Sequence, residues 1–256
     1  MKVLISPDKF KGSLSAQEVC EAIDRGVKRF DDRIETIFHP LADGGEGTLE
    51  NLESSLDLES VMVEVHDPLF RPVNAEYKIG GNNAYIEMAA ASGLPLLTDQ
   101  ERNCLYTTTY GTGELMLDAI QKGVSNIYLF VGGSATNDAG IGMATALGFR
   151  FFDAENKELS PIGKELINIL RVDDANLKFD SNAVNVTVVC DVKNPLFGPG
   201  GAAYIYGPQK GVNEQEIKML DDGLRNFSEV VYSAFGKDIA NLEGGGAAGG
   251  ISAGAY

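Results

Sequence analysis

One stretch restricts the possible folds of this chain more than any other. Residues 126–131, Asn-Ile-Tyr-Leu-Phe-Val, run directly into Gly132-Gly-Ser-Ala-Thr-Asn-Asp138, and an apolar helical segment follows over 139–147 up to Gly148. A β-rich run, a glycine-rich turn and a helix in that order describe a βα unit of a parallel sheet. The turn places small side chains, hydroxyls and a helix N-terminus at the C-terminal end of a strand, where phosphate or carboxylate is the natural guest. The same residues also read as a plain helix cap, in which Ser134, Thr136, Asn137 or Asp138 holds the first N–H groups. Both readings stay open at this point.

The chain before this unit repeats the grammar and then changes it. A β-branched run at 3–6 precedes Ser15-x-x-Glu18, a capping box that opens a helix with Val19, Ile23, Val27 and Phe30 on one face. A second strand at 34–38 and a helix at 47–56 follow, with Leu49, Leu52 and Leu56 as its stripe. Then Val61, Val63 and Val65 alternate, and 73–79 pairs with 84–88 across Gly80-Gly-Asn-Asn83, a hairpin signal that makes part of the sheet antiparallel. A helix over 112–122 stops at Gly123, a buried-type strand occupies 184–190, and Asn213-x-x-Glu216 caps a helix that Gly236 ends. The expected organisation is one α/β unit formed by 1–64 with 240–256 and a second formed by 65–239. The ending, GGGAAGGISAGAY over 244–256, is too poor in large side chains to form a core element by itself. It reads as a flexible tail, or as a functional loop whose following helix is missing.

Charge and cysteine usage narrow the partners. With 21 Lys plus Arg against 37 Asp plus Glu the net charge is −16, a field that repels nucleic acid and anionic membrane. An anionic ligand therefore needs a local cationic site. The 3 cysteines, Cys20, Cys104 and Cys190, form no CxxC pair, which argues against a disulfide framework and thiolate metal sites. No secretory signal opens the chain and no apolar run reaches membrane-spanning length, so a cytoplasmic location is expected.

Several strand ends carry chemistry. Asp8, Lys9, Lys11 and Ser13 follow the first strand, where open α/β sheets hold ligands, although lysines there also serve as a solvated turn. Asp43, Gly44, Gly45 and Glu46 follow the second, and the two acids suit magnesium or a ligand hydroxyl as well as they suit an acidic helix start. Asp191 stands just past the 184–190 strand, where a carboxylate serves as base, metal ligand or turn former, and Lys210 lies in a Gly-Pro-Gln-Lys-Gly turn. There is no GxxxxGK[ST], no GxSxG and no HExxH. The spacing of Gly244, Gly246 and Gly249 follows no strand and supports a nicotinamide-dependent oxidoreductase only weakly.

Taken in order, PDKFKGSLSA (7–16), LADGGEGT (41–48), TTYGTGEL (108–115), GGSATNDAGIGM (132–143), CDVKNPL (190–196), YGPQKG (206–211) and GGAAGG (245–250) resemble the successive signatures of the bacterial type I glycerate kinase family. The resemblance implies ATP-dependent phosphorylation of glycerate, most often to 2-phosphoglycerate, with 3-phosphoglycerate as the alternative product. It implies two α/β domains, one flavodoxin-like and one restriction-endonuclease-like with a mixed sheet, and no P-loop. Lys9 stands where many relatives carry serine, and the family's chains continue past GGAAGG, so a C-terminally shortened member is expected. The competing expectation is a catalytically incomplete ligand-binding fragment.

Phosphoryl transfer needs positioned phosphates, cations against developing charge, Mg²⁺ and a group that orients or deprotonates the attacking hydroxyl. On that basis residue chemistry at the strand ends assigns Lys11, and after it Lys9, to anionic oxygens, and Gly132, Gly133, Ser134 and Thr136 to a phosphate cradle. Asn137 and Asp138 are assigned to substrate or metal contacts, Asp191 and Asp43 to a magnesium ligand or base, and Lys210 to phosphate or the glycerate carboxylate. Asp8, Ser13, Gly44, Gly45, Glu46, Asn194 and Gln209 complete the expected substrate and ATP site. A homo-oligomer is left open.

Overall fold

The computed structural model describes every residue except Lys11, Gly12, Asp43, Glu46, Ser54 and Ser55. The chain opens as β1 (Lys2–Ile5), α1 (Ala16–Phe30), β2 (Glu35–Phe38) and α2 (Thr48–Glu53), with β1 and β2 paired in parallel. The expected capping box forms: Ser15 Oγ accepts from the Glu18 N–H, and the Glu18 carboxylate accepts from the Ser15 N–H at 2.7 Å. Ser15→Ala is expected to cost about 1 kcal/mol, read as a lower urea midpoint with an unchanged slope.

Only the first half of the α1 stripe is used. Val19 and Cys20 are buried, and the Cys20 thiol donates to the Ile5 carbonyl, whereas Ile23 is 42% and Phe30 85% exposed. Strands of 4 residues span roughly 13 Å, and a helix of 15 residues spans about 22 Å, so the far turns of α1 overrun the sheet.

The chain continues with β3 (Glu59–His66), β4 (Pro72–Gly80) and β5 (Asn83–Glu87), followed by α3 (Ala89–Ser92), α4 (Tyr110–Gln121), β6 (Asn126–Phe130) and α5 (Ile141–Leu147). Next come β7 (Arg150–Phe152), β8 (Arg171–Asp173), β9 (Asn185–Val189), α6 (Ala202–Tyr206), α7 (Glu214–Phe235) and α8 (Ile251–Gly254). The main sheet is mixed and has 5 strands in the order β3-β4-β5-β6-β9, antiparallel from β3 to β5 and parallel from β5 to β9. The hairpin expected at 73–88 is therefore present. The β7–β8 hairpin and α6 were not legible in the sequence. The boundary expected after residue 64 falls within β3.

One core lies between the main sheet and its helices. Ala84, Ile86, Ile127 and Leu129 meet Leu115, Met116 and Ala119 of α4 and Met143 and Leu147 of α5. A second core gathers Ile217, Leu220, Leu224 and Phe227 of α7 against Leu166, Ile169, Leu196 and Ala203. The α7 helix starts at the expected capping box, where Asn213 accepts from the Gln215 and Glu216 N–H groups, and it ends at Gly236 in a left-handed conformation.

The glycine-rich ending is neither a tail nor a lone loop. Gly244, Gly246, Ala247, Gly249 and Gly250 are buried, a short helix follows them, and Ala247 and Ile251 belong to the first core. The Ala139 N–H donates to the Gly249 carbonyl, and a Cβ on Gly249 would stand 2.1 Å from the Thr136 carbonyl oxygen. Small residues are needed here because backbone lies directly on backbone. The segment thus rests on the 136–140 turn, α5 and α6. Among the described residues no helix is long and apolar enough to cross a membrane.

Candidate active site

The C-terminal ends of the parallel strands open into a cleft of about 750 Å³, the place where open α/β sheets bind ligands. One wall comes from the segment after β1, with Asp8, Lys9 and Ser13, from Ser15 and Ala16 at the N-terminus of α1, and from Gly44, Gly45, Gly47, Glu50 and Asn51 around α2. The facing wall comes from Gly132, Gly133 and Ser134 after β6, from Cys190 and Asp191 after β9, and from Tyr206, Gln209, Lys210, Ala247 and Ala248. The positive end of the α1 dipole faces this space, which favours anions there.

The walls meet at glycines. The Gly132 N–H donates to the Gly44 carbonyl at 3.1 Å, and a Cβ on Gly132 would stand 2.4 Å from the Gly45 Cα. Gly132 thus contributes close approach, and its N–H is already committed to protein.

Lys210 is the most distinctive group of the cleft. It is 2% exposed, and its ammonium donates to Ser134 Oγ at 2.7 Å and to the Thr136 carbonyl at 2.6 Å. Burial lowers its pKa to about 8, while the charges of Cys104 and Asp138 act in the opposite sense. A buried cation under the glycine turn gives an acidic protein the local positive site an anion needs.

Asp138 has another role than the expected substrate or metal contact. It is fully buried and accepts from the Thr109 N–H and hydroxyl and from the Gly140 and Gly142 N–H groups. The donors at the start of α5, expected to face a ligand, are held by the protein's own carboxylate. Burial pushes the Asp138 pKa up and the four donors pull it down. Asn137 and Thr136 are buried beside it and do not line the cleft. Among the described residues, Thr136 Oγ1 and both amide atoms of Asn137 have no hydrogen-bond partner.

The other expected residues divide clearly. Asp8, Lys9, Ser13, Gly44, Gly45, Gly132, Gly133, Ser134, Asp191, Gln209 and Lys210 come together in the cleft. Asn194 stands behind it: its side chain donates to the Gly200 carbonyl and accepts from the Tyr206 hydroxyl at 2.7 Å. It thereby holds Tyr206, a cleft residue that sequence reasoning missed along with Ala247 and Ala248. Lys11, Asp43 and Glu46 lie outside the described residues.

Comparison with known proteins decides the relationship. The family model described as the glycerate kinase family matches residues 3–256. The chain belongs to the glycerate kinase family. Glycerate kinase of Halalkalibacterium halodurans is 42% identical over 254 residues, covering 98% of this chain and 67% of that protein. Glycerate 2-kinase of Escherichia coli is 43% identical over 255 residues, covering 99% of this chain and 67% of its own length. A crystal structure described as that of a glycerate kinase 2 from Salmonella typhimurium superposes with a TM-score of 0.88 at 43% identity, covering 100% of this chain and 69% of that one. Membership of the family makes the chemistry that of a kinase, and the chain spans about two thirds of the length of these relatives.

Proposed function

We propose that this chain phosphorylates D-glycerate with ATP as donor and that 2-phosphoglycerate is the product. The observation that carries the reading is the cleft at the parallel strand ends, which gathers the glycine turn, Lys9, Lys210 and Asp191 in a member of the glycerate kinase family. Acyl transfer and hydride transfer have no comparable support in the residues present.

In this reading Lys210 supplies positive charge beneath the 132–134 turn and keeps Ser134 oriented toward the cleft. Lys9, on the facing wall, meets anionic oxygens from the other side, and Lys11 is assigned the same task from the sequence. Gly132 lets the 132–133 turn lie directly on Gly44 and Gly45, which fixes the two walls against each other beside the phosphate-binding space. Asp191, exposed at the cleft, serves either as the base that takes the proton of the attacking hydroxyl or as a metal ligand. Ser13 and Gln209 bind the polar parts of the two substrates, and Tyr206, held by Asn194, bounds the space beside Asp191.

A magnesium ion fits the donor set. Mg²⁺ keeps several waters and takes one or two carboxylates together with substrate phosphates, so a dedicated cluster of protein ligands is not required. Among the described residues no group of three or more His, Cys, Asp or Glu side chains forms such a cluster. Exposed Asp191 at the cleft is a suitable hard-oxygen ligand, with Asp43 the second assigned from the sequence. Bound there, the ion would neutralise phosphate charge.

The test is phosphorus NMR of the purified chain with Mg-ATP and D-glycerate against a control without glycerate. A glycerate-dependent phosphomonoester signal is expected at the position of 2-phosphoglycerate. A signal at the 3-phosphoglycerate position would overturn the assigned hydroxyl. No product from a chain shown to be folded would overturn the activity and leave a ligand-binding fragment.

A further inference from the structure

Two residues outside the cleft are placed to control it. Lys78, on β4, is 7% exposed, and its ammonium contacts Glu53 Oε1 at 2.5 Å, Ser60 Oγ at 2.6 Å and Glu76 Oε1 at 2.7 Å. Ser60 is its direct partner across the β3–β4 pair, and Glu76 lies two positions along its own strand, so both belong to the sheet. Glu53 is different, because it is the last residue of α2. Burial opposes the charge on Lys78, but the hydrogen bonds to Glu53 and Glu76 outweigh it and raise its pKa.

The other end of α2 is anchored as well. The Leu49 N–H donates to the Glu87 carboxylate at 2.9 Å, at the end of β5. Between the anchors, Thr48 Oγ1 donates to the Gly45 carbonyl at 2.6 Å and the Asn51 amide to the Leu41 carbonyl at 2.8 Å. A helix of 6 residues that buries only Thr48 and Leu49 cannot hold its own place. Its position is set by what it is tied to, and its first residue, Thr48, holds the carbonyl of Gly45, the glycine that touches Gly132.

We infer that Lys78 and Glu53 are positioning residues for phosphoryl transfer, acting by pinning α2 to the main sheet so that Gly44 and Gly45 stay against the 132–133 turn. The catalytic consequence rests on the kinase reading of the cleft, whereas the anchoring does not. Lys78 is buried while the Glu53 carboxylate is partly exposed, so the pair adds little net stability and its use is to fix one arrangement. Loss of Glu53 leaves Lys78 paired with Glu76, so the fold survives and the consequence falls on α2.

The test compares two carboxylates of the same lysine. Glu53→Gln removes the link to α2, and Glu76→Gln removes a partner within the sheet. Amide hydrogen exchange at Leu49 is expected to rise about tenfold in Glu53→Gln and to stay at the parent's value in Glu76→Gln. Steady-state kinetics of the same proteins should show a KM for glycerate or ATP raised about tenfold in Glu53→Gln, with kcat changed much less. Lys78→Met should reproduce Glu53→Gln in both readouts, and Lys78→Arg should recover most of what Lys78→Met loses. Equal effects of Glu53→Gln and Glu76→Gln on exchange would overturn the inference. So would unaltered exchange at Leu49 in folded Lys78→Met. A parent chain that forms no product would instead overturn the kinase reading, and the exchange comparison would still decide the anchoring.

Discussion

Replacing Lys210 by methionine is expected to lower kcat/KM about a hundredfold, near 2.7 kcal/mol of transition-state stabilisation, while moving the melting temperature by only a few degrees. The two effects separate because the ammonium does two opposed things. It presents charge to the cleft through a turn it holds by Ser134 and Thr136, and it suffers from being 2% exposed. Methionine removes the cost of burying the charge, which offsets part of the roughly 1–3 kcal/mol of leaving the Thr136 carbonyl and the Ser134 hydroxyl without their donor. The pH dependence gives the sharper signature. Burial brings the pKa from 10.5 to about 8, so below pH 8 folded and unfolded chains both carry the proton and the full cost of the buried charge is present. As pH rises from 8 toward 9 the folded protein gives up a Lys210 proton that the unfolded chain retains, so stability rises; above 9 the neighbouring Cys104 thiol, which burial pushes up to about 11, acts in the opposite sense. Activity moves the other way, because the neutral amine no longer offers charge to phosphate. The parent should therefore show kcat/KM falling above pH 8 while its urea midpoint climbs between pH 8 and 9. Bound anions favour the protonated amine, so the fall in kcat should lie at higher pH than the fall in kcat/KM. In Lys210→Met both trends should vanish. An alkaline fall that persists in Lys210→Met would assign it to another group.

The second large effect is expected from the smallest change. In Gly132→Ala a single methyl would stand 2.4 Å from the Gly45 Cα and 3.0 Å from its nitrogen. Neither neighbour is a flexible side chain, so backbone must shift and the hydrogen bond from the Gly132 N–H to the Gly44 carbonyl must lengthen. A displacement of about 1 Å in groups that position substrates costs roughly a hundredfold in rate. We expect that loss in kcat/KM with the circular dichroism spectrum unchanged, since the contact joins two loops and belongs to neither core. Gly123→Ala is the matched control, because nothing lies within 4 Å of a Cβ built there. Its left-handed backbone, with φ of 90°, should cost stability and leave kcat/KM in place.

What sequence could and could not reveal follows from the range of each interaction. The capping boxes at Ser15 and Asn213, the hairpin at 73–88 and the βα unit ending at Gly148 depend on residues within a few positions of each other, and all were legible. The gathering of Asp8, Lys9, Ser134 and Asp191 was legible through the rule that parallel strands expose their C-terminal ends together, whereas Lys210 reaches the cleft from a turn after α6. The surroundings of Asp138 were not legible, because its sequence position marks a helix start whereas two of its hydrogen bonds come from Thr109, far away in the chain. The hold of Asn194 on Tyr206 and the three contacts of Lys78 are likewise invisible to periodicity. The glycine segment at 244–250 failed for another reason. Pattern reading weighs large apolar side chains, and this stretch enters the core by having none, so that backbone can lie on backbone at Thr136 and Pro195.

That last contact sets a timetable for synthesis. Thr136 leaves the ribosome roughly a hundred residues before Gly249, an interval of about 5 to 20 s at ordinary elongation rates. During that time the turn between β6 and α5 lacks the Gly249 carbonyl that receives the Ala139 N–H, and the cleft lacks Ala247 and Ala248. The nascent chain therefore carries all five strands of its main sheet well before the glycine segment closes on the 136–139 turn.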